Sequence, residues 1–179
     1  VMERIGGPSL RARFGAAPLP LAEVVEVGWK VATALHDLHR QHVIHLDVKP
    51  QNIMVGDDGG GAQLVDFGLA DEIRLSATRV SRVQVDISGT YPYMSPEQCL
   101  AENVDSRSDI YALGIMLYEL AVGRLPYHPK TIAEAARMHA REALTLPSAV
   151  QANFPQELEA IIVKCLAKDP NLRYQTARE

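Results

Sequence analysis

The sequence predicts a mainly α-helical domain with one small β-hairpin set into it. Between Pro18 and Arg40, apolar residues recur at Val24, Val27, Val31, Leu35 and Leu38, the spacing of a helix that buries one face. From Ser106 to Gly123 the chain is apolar nearly all round, the pattern of a helix enclosed on every side and closed by a glycine. The clearest strand signal lies in two short runs, NIMV and AQLVDF, which the turn-forming DDGGG at 57–61 joins into a hairpin.

VMERI at 1–5 reads as the end of a strand, and GGPS at 6–9 as a turn. PLPLAEVVEVGWKVATALHDLHR follows as a helix opened by prolines. HVIH at 42–45 is a further β-branched run, so the segment between it and NIMV reads as a tight loop bracketed by strand-like runs. Residues 70–108 hold neither period; they carry Ser76, Thr78, Ser81, Ser88 and Thr90 with Arg74, Arg79 and Arg82, and a loop of that length in a compact domain points to function. TIAEAARMHARE and PQELEAIIVKCLAKD read as two more amphipathic helices, with Pro170 expected to stop the second. The opening at Val1 lacks a start signal, and the closing YQTARE reads as helix interior without a terminator. The chain is therefore expected to be a piece of a longer protein.

At 179 residues, with 47% apolar and 22% charged residues, one packed domain spanning 1–179 is expected. A net charge of -4 and the lack of a basic block argue against a nucleic-acid surface. The longest apolar stretch, 111–123, is too short to span a bilayer and contains Glu119. Cys99 and Cys165 show no paired spacing and no signal peptide is evident, so free thiols in a reducing, cytoplasmic setting are expected.

The chemistry concentrates in HLDVKPQN at 45–52. Asp47 and Asn52 share its tight loop, and Asp66, 19 residues after Asp47, ends the second run, where the hairpin would return it towards Asn52. A carboxylate and an amide oxygen suit a hard ion such as Mg²⁺, which keeps water and phosphate oxygens for its other positions. A second carboxylate, Asp47, is then free to take a proton from a hydroxyl, and Lys49 offers a point charge to a phosphate. A base, two metal ligands and a cation together describe phosphoryl transfer, in which positioning and charge neutralisation dominate. His45 reads as a packed structural histidine, and the other five histidines show no metal-binding spacing.

At these residues the sequence resembles the protein kinase family, in particular the large C-terminal lobe of a bacterial-type serine/threonine kinase. The family's catalytic loop, metal motif and segment-closing A-P-E correspond to HLDVKPQN, DFG and SPE, in order. MERIGG resembles the hinge, GTYPYMSPEQ the substrate-docking loop, SDIYALG the start of the central helix and PNLRY the late arginine motif. The resemblance implies a fold in which the hairpin carries the catalytic loop and the DFG motif. It implies Asp47 as catalytic base, Lys49 steadying the transferring group, Asn52 and Asp66 as metal ligands, and Thr90 hydrogen-bonded towards Asp47 and Lys49. It further implies Asp109 as anchor of the catalytic loop and Glu97 paired with Arg173. Leu10, Met54, Met116 and Leu120 would stack beneath the adenine, whose edge would meet the backbone near Glu3 and Ile5. ATP and Mg²⁺ are the implied cofactors, and a protein serine or threonine is the implied substrate.

Two departures from the family stand out. Nothing matches the Gly-rich loop, the strand lysine or its glutamate partner, so a small lobe is expected before Val1, sensor or effector domains elsewhere, and little activity from residues 1–179 alone. Between His45 and Asp47, where many members carry a phosphate-binding arginine, stands Leu46. The alternatives are a pseudokinase scaffold, against which the retained Asp47, Lys49, Asn52 and Asp66 argue, and a small-molecule phosphotransferase, against which GTYPYMSPEQ argues.

Overall fold

The structure is a computed structural model that describes residues 7–15, 17–56, 62–65 and 90–179. Among these, seven α-helices surround one two-stranded sheet: α1 (Leu10–Phe14), α2 (Leu21–Arg40), β1 (Ile53–Val55), β2 (Ala62–Leu64), α3 (Pro96–Cys99), α4 (Ser106–Val122), α5 (Ile132–Arg141), α6 (Pro147–Val150) and α7 (Gln156–Cys165). Short 3₁₀ turns occupy Pro50–Asn52, Tyr91–Tyr93 and Pro170–Leu172. The mainly helical expectation holds.

Helix α4 is the centre. Asp105 caps its start by accepting from the Arg107 N–H, and Gly123 ends it at φ 79°, a left-handed conformation that a residue without Cβ adopts freely. Every residue from Ser108 to Ala121 is buried. Helices α2 and α7 pack against it. Gly114 permits the close approach of α7, because a Cβ there would lie 2.6 Å from the Cβ of Cys165. Helix α2 turns Val24, Val27, Val31 and Leu35 inward, the stripe expected from its spacing. No helix among the described residues is long and apolar enough to cross a membrane.

The hairpin has antiparallel register, with Ile53 opposite Leu64, Met54 opposite Gln63 and Val55 opposite Ala62. On the other side of β1 the chain before α1 makes one further bridge, Ser9 to Met54. Gly7 allows that approach, since at φ 141° a Cβ would meet the Val55 carbonyl oxygen at 2.2 Å.

Several sequence expectations are corrected. HVIH forms no strand, because the amides of His42 and Val43 donate to the His39 and Leu38 carbonyls of α2 and that of His45 to a side chain of α4. Helix α7 ends at Cys165, and Pro170 opens a 3₁₀ turn instead of stopping a helix. YQTARE is not helical. Helices α1, α3 and α6 escaped the periodicity reading because five residues or fewer cannot show a period; the Ser9 cap of α1 and the Ser95–Gln98 capping box of α3 were the available signals.

Helix α3 is tied to the last turn by Glu97 and Arg173, 5% and 2% exposed. Arg173 donates from Nη1 and Nη2 to the two Glu97 oxygens at 2.7 and 2.9 Å. Its remaining N–H groups go to the carbonyls of Arg107, Lys168 and Ala167, so all five are used. Burial pushes the Glu97 carboxyl up, but Arg173 and Ser108 more than reverse that and hold it below its usual range. Glu97→Ala and Arg173→Ala should each destabilise the protein by about 3 kcal/mol or more, because each strands a buried charge. The double variant should cost less than the sum, as denaturant melts of the three proteins would show.

Helix α5 lies against α3 and the Tyr91–Tyr93 turn. Its fully buried His139 donates from Nε2 to the Tyr91 carbonyl at 3.0 Å and accepts at Nδ1 from the Tyr111 hydroxyl at 3.0 Å. Burial pulls this imidazole down to about 4. The unfolded chain takes up a proton there below about pH 6.5, the folded chain only near pH 4. In between, the unfolded state binds more protons, so this contribution to stability is complete above pH 6.5 and is lost as pH falls. Relative to His139→Gln, whose amide can keep both hydrogen bonds, the protein should lose up to about 1.4 kcal/mol per pH unit in that window, measurable by chemical denaturation at a series of pH values.

Candidate active site

The segment from His45 to Asn52 has almost no secondary structure of its own. Its shape is imposed from α4. The Asp109 carboxylate, fully buried, accepts the N–H of His45 at 2.8 Å (Oδ2) and of Leu46 at 2.7 Å (Oδ1). His39, at the end of α2, donates from Nε2 to the same Oδ2 at 2.8 Å. Leu46 is held at φ 64°, an uncommon conformation for a residue with a branched side chain, and its side chain is 4% exposed. Its carbonyl accepts from Gln98 Nε2 of α3 at 3.1 Å. Buried His45 accepts the Asp47 N–H at Nδ1, 3.2 Å, a local bond that turns the next residue.

Asp47 then faces three side chains. Asn52 Nδ2 donates to Asp47 Oδ2 at 2.8 Å and to the Asp47 carbonyl at 2.9 Å. Lys49 Nζ lies 2.8 Å from the same Oδ2. The Thr90 hydroxyl donates to Oδ1 at 3.3 Å and accepts from Lys49 Nζ at 2.9 Å. Among the described residues Oδ2 is thus occupied twice, while Oδ1 has one long contact and is the oxygen with capacity for another donor. Lys49 uses two of its three N–H bonds in this cluster. Both N–H bonds of Asn52 point to Asp47, so its amide oxygen is the end turned away.

That oxygen is a hard, uncharged donor, the kind Mg²⁺ takes beside phosphate oxygens. Of the two ligands the sequence implied, this one is of the type that ion takes. Its expected second ligand, Asp66, lies outside the described residues, as do Glu3 and Ile5 and the serines, threonine and arginines of 74–88. Of the expected adenine floor, Leu10, Met116 and Leu120 share the buried core, and Met54 sits half-buried on β1.

Sequence reasoning missed His39 and Gln98. His39 lies one turn beyond Leu35 on α2 and carries no motif of its own. Gln98 was recognisable only as the third residue after Ser95, which marks a capping box and says nothing of Leu46.

Comparisons with known proteins agree with this architecture. The family model described as "Protein kinase domain" matches residues 1–179. Serine/threonine-protein kinase PknB of Mycolicibacterium smegmatis is 38% identical across the whole chain, which covers 28% of that protein. Probable serine/threonine-protein kinase CPE1738 of Clostridium perfringens is 37% identical, again across the whole chain and over 26% of its own length. A further match, probable serine/threonine-protein kinase CA_C1728 of Clostridium acetobutylicum, is 34% identical, with 27% of that protein covered. The chain thus spans little more than a quarter of the length of the curated relatives it matches. From the Asp109-anchored loop, the helical frame around it and a match that runs from Val1 to Glu179, this chain belongs to the protein kinase family.

Proposed function

We propose that this chain is the large lobe of an ATP-dependent serine/threonine protein kinase, with its small lobe before Val1 and further domains elsewhere in the full-length protein. The supporting observation is the cluster in which Lys49, Asn52 and Thr90 converge on one carboxylate, Asp47. A substrate hydroxyl can approach Asp47 Oδ1, the less occupied oxygen. As its oxygen attacks the γ-phosphorus, its proton passes to Asp47, and the bond to the bridging oxygen breaks with its electrons leaving on ADP. Lys49 can turn its third N–H to an oxygen of the phosphoryl group. Thr90 holds Lys49 and Asp47 in register. Asn52 would hold Mg²⁺ with Asp66, and the ion would neutralise phosphate charge. Leu10 and Met54 would lie beneath the adenine, with the backbone at Glu3 and Ile5 along its edge.

A cytoplasmic setting suits ATP and the two free cysteines. Burial pushes both Cys99 and Cys165 thiols up to about 12, so neither is poised for reaction.

In the full-length protein, Asp47→Asn should reduce phosphotransfer on the order of 10²–10⁴-fold, the usual contribution of a general base. ATP affinity should change little, because Asp47 is not assigned to the nucleotide. Radiolabelled phosphotransfer and nucleotide titration separate the two, and wild-type turnover in Asp47→Asn would refute the assignment.

Leu46 yields a second expectation. Its side chain is buried and its backbone is committed to Asp109 and Gln98, so a phosphate on the 70–89 segment has no cation to reach at this position. Complete phosphatase treatment, with occupancy checked by mass spectrometry, should lower activity less than about tenfold, roughly 1.4 kcal/mol of barrier. A larger loss would mean that another residue has taken the arginine's place.

A further inference from the structure

Beside the catalytic cluster, and unused by the mechanism above, three polar side chains close a triangle. Arg11 of α1 donates from Nη2 to Glu119 Oε1 of α4 at 2.5 Å and to the Tyr93 hydroxyl oxygen at 3.0 Å. Tyr93 in turn donates to Glu119 Oε2 at 2.5 Å. Tyr93 and Glu119 are 4% and 8% exposed, so the bond between them is buried, while the Arg11 side chain, 28% exposed, reaches it from the partly solvated side. Burial, reinforced by the charge of Glu119, drives the Tyr93 phenol far above its usual range, and it stays a donor. Burial pulls the Arg11 guanidinium down, but Glu119 and Tyr93 more than offset this and keep it charged.

The triangle leads to the reacting groups in two steps. Tyr93 closes the 3₁₀ turn by donating its N–H to the Thr90 carbonyl at 2.9 Å, which fixes the backbone from which Thr90 reaches Lys49 and Asp47. On its other side α1 is stapled to the hairpin: Val55 N–H donates to the Pro8 carbonyl at 3.1 Å, and Arg13 donates to the Gly56 carbonyl at 3.2 Å. Arg11 also donates to the Gly15 carbonyl at 2.8 Å, which keeps its own helix end closed. One cation thus joins the wall bearing Leu10 and Met54 to the turn bearing Thr90.

We propose that Arg11 is a positioning residue for phosphoryl transfer: through Glu119 and Tyr93 it holds the Thr90 turn against Asp47 and Lys49. The inference rests on the kinase reading above. Removing the guanidinium leaves the Glu119 carboxylate and the Tyr93 hydroxyl without their shared cation, so the turn gains freedom. The aligned population of Thr90 and Lys49 then falls, and a 1 Å displacement at such a position is enough to slow a reaction of this kind. Nucleotide binding, which Arg11 does not touch, is left in place.

The test is steady-state phosphotransfer by the full-length protein, with Arg11→Gln, Arg11→Lys, Tyr93→Phe and the Arg11→Gln/Tyr93→Phe double variant. Arg11→Gln should lower kcat about tenfold, roughly 1.4 kcal/mol of barrier, with the KM for ATP changed less than about twofold. Arg11→Lys should recover most of kcat, since a single ammonium can stand where Nη2 stands. The double variant should be little slower than either single one, as residues acting as one unit are. If Arg11→Gln does not fold, Tyr93→Phe, which keeps the packing and removes only the hydroxyl, carries the same comparison. Unchanged kcat in folded Arg11→Gln or Tyr93→Phe, a loss confined to the KM for ATP, or losses that multiply would overturn the inference while leaving the kinase reading intact. A wild type without phosphotransfer would overturn that reading and this inference with it.

Discussion

The buried carboxylate of Asp109 is the constraint on which the rest of the structure depends. A charge with no solvent exposure is tolerated only where hydrogen bonds replace its water, and Asp109 obtains three, from the amides of His45 and Leu46 and from His39. Two of those donors are backbone. The loop from His45 to Asn52 is therefore held by its main chain, and the side chains of Asp47, Lys49 and Asn52 are left to meet one another. Leu46 shows the cost of the arrangement, a positive φ at a residue that would ordinarily avoid it, stabilised because its N–H and carbonyl are both claimed by neighbouring helices.

Helix α4 repeats this device along its length. It is apolar nearly all round, yet Ser108, Asp109 and Glu119 are polar and buried. Each reaches a different segment: Ser108 donates to Glu97 of α3, Asp109 takes the catalytic loop, and Glu119 takes Arg11 and Tyr93. A helix enclosed by α2 and α7 moves little, so whatever it holds shares its rigidity. Segments with no regular structure of their own thereby acquire fixed positions.

The same logic governs the Thr90–Tyr93 turn. His139 of α5 holds the Tyr91 carbonyl, Glu119 holds the Tyr93 hydroxyl, and Thr90 reaches Asp47 and Lys49. Two helices and the loop bearing Asp47 and Lys49 thus meet on Thr90, Tyr91 and Tyr93. If the proposed phosphoryl transfer takes place here, that definition matters, because such a reaction depends on geometry more than on covalent participation by the protein.

The sequence by itself determined the long helices, the hairpin and the identity of Asp47, Lys49, Asn52 and Thr90 as residues that belong together. Amphipathic spacing is a local property, and the ordered motifs HLDVKPQN and SPE carry their meaning in the chain. Three things were decided only in three dimensions. HVIH, strand-like by composition, forms no strand, because the His42 and Val43 amides close the end of α2 and that of His45 is claimed by a carboxylate 64 residues away. Helices of five residues or fewer appear where caps and packing select them, as at Ser9 and Ser95. His39, Gln98 and Arg11 reach Asp109, Leu46 and Glu119 only through the approach of segments distant in sequence. Periodicity reports which face a segment buries; which polar groups meet across those faces is settled by the packing that brings them within hydrogen-bond reach.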